Sequence, residues 1–235
     1  MSGTPVEPEH PHFGQPQRAF GGPGTNGSGL SRGHSRGPGD NAFASQADRG
    51  GAAAWARDQG WQSLDQADPR MSDAAELVRS APARRIDRDH HPRNVMAGHI
   101  GDTDALAFDI AVNASTGWIA EWAVTAIGIP DELPRIRWTP ARLWSHNPDL
   151  LIQVPTGDEL FDARWRVLAN ADDPRVRRLA ADPAIRQALL ATDDGDDIWT
   201  AAGYLAAFRP DGHRPQLLTH HVGLLTTLRH SLINV

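Results

Sequence analysis

The hydrophobic pattern is clearest at the carboxyl end. Leu217, Leu218, His221, Leu224, Leu225 and Leu228 recur at three- and four-residue steps, the spacing of one buried face on a helix over residues 215–230. Two shorter helices precede it. Asp172-Asp173-Pro174 places an aspartate cap before a proline in the first turn, which predicts a helix over 175–181, and Asp182-Pro183 repeats the signal. Ile185, Leu189 and Leu190 supply the apolar stripe of that second helix. Between these helices and the last one, residues 198–201 and 204–208 read as a β-hairpin.

Upstream the period changes toward two. Residues 94–100 and 105–112 flank Gly101-Asp102 and predict another hairpin. Ser115-Thr116-Gly117 makes the next turn into a strand over 118–127. Alternation there puts Trp118, Ala120, Trp122, Val124 and Ala126 on one face and Ile119, Ala123 and Ile127 on the other. Pro130 and Pro134 bracket a tight crossing into Ile136-Arg137-Trp138, and residues 150–154 and 164–168 add short strands, with Trp165 and Val167 inward. Nearer the amino end, an alanine-rich helix stops at Gly60, and Asp73-Ala74-Ala75-Glu76 resembles a capping box opening a helix through Val78 that Pro82 ends. The expected fold class is therefore α+β: an antiparallel sheet of short strands and hairpins packed by segregated helices.

Composition divides this picture into two parts. Residues 1–50 hold eleven of the 22 glycines and six of the 18 prolines, but none of the eight tryptophans. Such a stretch buries too little apolar surface to offset backbone ordering, so a disordered tail is expected over 1–50 and one α+β domain over 51–235. The glycine-rich segments at 21–24 and 27–29 have neither a preceding strand nor a following helix, and read as linker rather than phosphate loop. Four acids and four arginines balance in the tail, so the formal charge of −6 belongs to the domain. A mildly acidic domain lacks the clustered basic surface that nucleic acid needs.

Two residue types are missing. Without cysteine there is no disulfide, zinc–thiolate site or thiol nucleophile. All 23 basic residues are arginine. The absence of lysine removes phosphate-loop NTPases of the usual kind, ordinary protein kinases and Schiff-base enzymes. The same bias points to a GC-rich bacterial genome. The longest mostly apolar run, 122–129, is far short of the ~20 residues that span a bilayer, and no leader pattern opens the chain. The expectation is a cytoplasmic protein with no membrane segment and no cofactor.

A succession of short motifs resembles a known family. Trp55-Ala56-Arg57-Asp58-Gln59-Gly60-Trp61, Asn94-Val95-Met96-Ala97-Gly98, Phe108-Asp109, the segment 122–130, Leu133-Pro134, Asp158-Glu159-Leu160-Phe161 and the segment 164–170 occur in that order, ahead of Asp173-Pro174-Arg175 and two helices. Their order is similar to that in a large family of proteins from high-GC Gram-positive bacteria that has no established activity. The chain departs from the pattern at Ile110, where tyrosine is usual, and at Asp162-Ala163, where asparagine and arginine are usual. The resemblance implies the boundaries of the domain; it assigns no catalytic residue. Some members carry membrane helices ahead of the domain.

Candidate chemistry is sparse. Asp193-Asp194-Gly195-Asp196-Asp197 is the densest acidic run, but it lacks a calcium loop's spacing and reads as a solvated turn. His220 and His221 are adjacent on a helix and point about 100° apart, so they cannot share a metal; His221, eight residues after His213, falls on the leucine stripe as a core histidine. Arg84, Arg85, Arg88 and Arg93 form the basic cluster, suited to an anion or an acidic partner segment. No Gly-x-Ser-x-Gly elbow surrounds Ser115, Ser145 or Ser231. Trp118, Trp122, Trp138, Trp144, Trp165 and Trp199 read as core unless some face outward. These features predict a non-enzymatic interaction or regulatory module with a protein partner. The alternative is an enzyme or small-ligand binder built from Asp, Glu, His and Arg, which would bring two or more of Asp109, Glu121, Asp158, His99 and His221 into one concave pocket.

Overall fold

Strands β1 (Gln62–Ser63), β2 (His90–Ile100), β3 (Thr103–Ala114) and β4 (Gly117–Gly128) form an antiparallel meander in the computed structural model of the chain. The structure describes residues 45–83, 86–115, 117–130, 133–141 and 150–234, all within the compact unit Ala44–Val235. The expected tail therefore falls outside the described residues up to position 44. Residues 45–50, assigned to that tail by composition, belong with the domain. Ser45 and the Gln46 amide donate to Asp211, and the Asp48 carboxylate caps the Gly51 amide.

The second half of the chain supplies β5 (Ile136–Pro140), β6 (Ile152–Val154), β7 (Trp165–Ala169), β8 (Asp197–Ala201) and β9 (Tyr204–Pro210). Together the nine strands make one antiparallel sheet in the order β1-β2-β3-β4-β9-β8-β5-β7-β6. Both predicted hairpins are present. Gly101-Asp102 closes the first. Ala202-Gly203 closes the second with φ of 52° and 75°, the double left-handed turn that matches strand twist.

Helix α2 (Arg70–Ser80) lies on one face over Leu106, Phe108, Ile110, Val124, Ala126 and Trp199. On the other face lie α1 (Arg49–Asp58), α3 (Glu159–Arg164), α4 (Pro174–Ala181), α5 (Pro183–Leu190) and α6 (Pro215–Ile233). Every member of the predicted leucine stripe on α6 is buried, His221 included. The caps of α4 and α5 form as expected: Asp173 accepts from the Arg175 amide, and Asp182 from those of Ala184 and Ile185.

Several elements differ from expectation, among them β1, which no signal predicts, and β2, which begins at His90 rather than at residue 94. Helix α2 begins at Arg70, three residues ahead of the supposed capping box, because Asp68 accepts the Arg70 amide in front of it. Helix α3, capped by Asp158, occupies residues where no helix is expected; six residues are too few to show a period. In β4, Ala120 opposes Ala111 while Trp122 opposes Ile110, so Glu121 is an extra residue in the ladder. That bulge breaks the alternation. Trp118 and Ala120 face the α1/α6 side, whereas Trp122, Val124 and Ala126 face α2.

Gly98 shows how tightly α1 and the sheet are joined. Trp61, buried and edge-to-face with Trp55 at 5.8 Å, lies directly on that strand position; a β-carbon at Gly98 would stand 2.2 Å from its Cδ1. Gly98→Ala is expected to lower stability by about 1–3 kcal/mol, the cost of overpacking, read as a lower urea midpoint.

Candidate functional site

Asp196 and Asp197 are neighbours at the start of β8 and point to opposite faces of the sheet, as a period of two requires. Neither is solvated: both are buried. The expected solvated turn is thus the base of two separate polar systems. On the α2 face Asp197 accepts from Arg137 through Nε at 2.7 Å and Nη2 at 2.5 Å, and from the Thr139 hydroxyl at 2.9 Å. Arg137 also donates to the Pro82 carbonyl. The acids flanking this pair are taken by arginines as well, Asp193 by Arg209 and Asp194 by Arg164.

The system on the α1/α6 face is longer. Asp196 accepts from His221 Nε2 at 3.0 Å, His220 Nε2 at 2.7 Å and Arg209 Nε at 2.7 Å. His221 Nδ1 meets the Thr125 hydroxyl at 3.0 Å, and Thr125 meets His213 Nε2 at 3.3 Å. His213 Nδ1 then donates to Asp109 Oδ1 at 3.0 Å. Five buried side chains from β3, β4, α6, the residue ahead of β8 and the loop before α6 thus form one chain: Asp109–His213–Thr125–His221–Asp196. A carboxylate only accepts, so His213 Nδ1 and His221 Nε2 both carry protons. One hydroxyl proton cannot serve both remaining nitrogens. Thr125 therefore donates to only one of the two rings.

The electrostatics follow from burial opposed by partners. Burial resists ionisation of Asp196, but His221, His220 and Arg209 outweigh it and hold the carboxyl far below its ordinary range. Burial likewise opposes the Asp109 charge; His213 and Asn94 overcome it and hold that carboxyl at about 2. For His221, burial prevails over the attraction of Asp196 and keeps its basicity below the usual imidazole value.

Asp109 closes the chain at a cavity of about 350 Å³ between α1 and strands β1 and β2. Asn94 and Val95 together oppose a single position of β3, a bulge that holds Asn94 at φ 53°. Its amide donates to Asp109 Oδ2 at 3.0 Å, and Arg49 Nε donates to the same oxygen at 3.1 Å. With the His213 amide and ring on Oδ1, Asp109 accepts four hydrogen bonds and has no acceptor capacity left.

Of the residues considered for a catalytic pocket, Asp109 and His221 share the buried chain, but only Asp109 lines the cavity. Glu121 accepts from His90 at 3.0 Å, Asp158 caps α3 and pairs with Arg186, and His99 meets Asp104 on an exposed strand end. Arg84 and Arg85 lie outside the described residues, as does Trp144. Arg88 extends into solvent beside Asp89, and Arg93 stacks on Trp118 at 4.3 Å from the ring centre. His213 and Thr125 were missed by sequence reasoning: a lone histidine in a loop and a threonine in an apolar strand carry no local signal. No group of three or more acids and histidines able to hold a metal occurs among the described residues, and no described helix is long and apolar enough to cross a membrane.

No protein-family model matches the chain, and no curated protein matches it. Among solved structures it is similar to the crystal structure of the mycobacterial trehalose monomycolate transport factor A, TtfA, with a TM-score of 0.57 at 14% identity over 78% of this chain and 93% of that one. That likeness is one of fold, and it places the antiparallel sheet with its helices among known architectures.

Proposed function

We propose that the chain is a non-enzymatic interaction module that binds a protein partner. The observation that carries this reading is saturation. The buried acids and imidazoles of the Asp109–Asp196 chain are all bonded to one another, so none is left facing a substrate as base or nucleophile. The structural neighbour is named as a transport factor, not as an enzyme.

The partner surface in this reading is the far end of the β3–β4 hairpin. Trp118 and Ile119 are 41% and 48% exposed on its two faces. Arg93 lies over the Trp118 ring, and His91 meets its edge at 5.6 Å. Tryptophan and arginine are the residue types that dominate interface energetics, and Arg93 belongs to the basic cluster read from the sequence. The test is capture from host lysate by the full chain and by a Trp118→Ala, Ile119→Ser variant, quantified by mass spectrometry. The expected result is one or two near-stoichiometric proteins that the variant loses while its melting temperature is kept. Identical captures by both chains would defeat the assignment. So would hydrolytic turnover that Asp109→Asn abolishes.

A further inference from the structure

At the end of the buried chain the cavity presents a cation whose partner carboxylate is already engaged. Asp109 is buried and filled by four hydrogen bonds. Arg49 is half-exposed, and the bond from its Nε to Asp109 fixes the guanidinium plane. The two terminal nitrogens form no hydrogen bond among the described residues, so the outer edge of the fork is free and already oriented. Such an edge matches a carboxylate through two parallel N–H···O bonds.

The lining also carries apolar groups, Ala52 and Ala53 from α1, Leu64 after β1, and Val95 and Met96 from β2, beside the polar Ser63, Asn94 and His213. A volume of about 350 Å³ lies at the small end for ligand pockets. At about 30 Å³ per water-sized group it has room for roughly ten non-hydrogen atoms.

From these observations we infer that the cavity is a binding site for a small monocarboxylate with an apolar body. Arg49 grips the carboxylate, and the α1 and β2 side chains cover the hydrocarbon. One arginine beside a carboxylate that is already matched suits a single negative charge better than a phosphate dianion. The bulge at Asn94 has a role in this arrangement: it aims the Asn94 amide at Asp109 Oδ2, so that carboxylate's acceptor sites are filled without the outer edge of Arg49. The inference goes beyond partner binding at Trp118 and does not depend on it.

The test is calorimetric titration of the full chain with hexanoate, hexanol and hexyl phosphate. Hexanoate is expected to bind at least about tenfold more tightly than hexanol, the ratio for a charge-assisted pair, and more tightly than hexyl phosphate. Arg49→Gln should erase the preference for hexanoate over hexanol. Ala53→Leu fills the cavity without touching the polar chain, so it should abolish binding of both at an unchanged melting temperature. Equal affinity for acid and alcohol would overturn the assignment of Arg49. Tighter binding of hexyl phosphate would overturn the monocarboxylate class. Hexanoate binding undiminished by Ala53→Leu, or absent from the wild type, would overturn the site itself.

Discussion

Asp196→Ala is expected to destabilise the protein by about 3–5 kcal/mol, the range for removing one partner of a buried charge pair. Asp196 is completely buried and is the common acceptor for His221, His220 and Arg209. Without it the His221 ring keeps an N–H with no acceptor, and Arg209 keeps only Asp193, which sits at the surface. A domain of this size has about 5–15 kcal/mol in total, so the loss is a large share. Urea unfolding at neutral pH measures it; a change under about 1 kcal/mol would show that the cluster re-forms around other acceptors.

Acid should have a related effect on the unaltered chain, and its sign can be worked out. The carboxyls of Asp196 and Asp109 are held low in the folded state. Their contribution is complete above the ordinary carboxylate value and is lost as pH falls below it, since the unfolded chain then takes up protons that the folded chain refuses. His221, also lowered, acts the same way from the ordinary imidazole value of 6.5 downward. Stability should decline on acidification in two stages, the first below about pH 6.5 and the second in the carboxylate range.

Arg137→Met should cost about as much, 3–5 kcal/mol by the same reasoning, through the opposite face of the sheet. Asp197 would be left buried with Thr139 as its remaining side-chain donor among the contacts described above. Burial pushes the Asp197 carboxyl upward even with Arg137 beside it, so the variant should take up a proton there on folding. Arg137→Met combined with Asp197→Leu separates charge from shape. Apolar replacement of a whole buried pair is often neutral, so the double variant should recover most of the loss. A double variant as unstable as Arg137→Met alone would mean that the arginine acts through packing.

Much of the fold was legible in the sequence because its signals are local. The leucine stripe of α6, the Asp-Pro starts of α4 and α5 and the two-residue hairpin turns each lie within a few residues. The start of α2 was legible by the same rule, since Asp68-Pro69 repeats the Asp-Pro signal, but the downstream Asp73-Ala74-Ala75-Glu76 pattern competed with it. The face reversal at Glu121 was not legible. A bulge is defined by the partner strand, and alternation within β4 gives no hint of it. The candidate site was hidden for the same reason. Asp109, Thr125, Asp196, His213 and His221 are brought together by strand pairing and by the placement of α6, with separations of up to 104 residues along bonded pairs. The acidic run at 193–197 looked solvated because the arginines that neutralise it are remote in sequence.

The strand order has a consequence for synthesis. The hairpin β8–β9 leaves the ribosome after every other strand described, yet it is the seam of the sheet: β9 pairs with β4 and β8 with β5. Without residues 197–210 the strand order falls into two sets, β1-β2-β3-β4 and β5-β7-β6, and the edges of β4 and β5 have no partner. Those edges are where stalled or truncated chains would stick to one another.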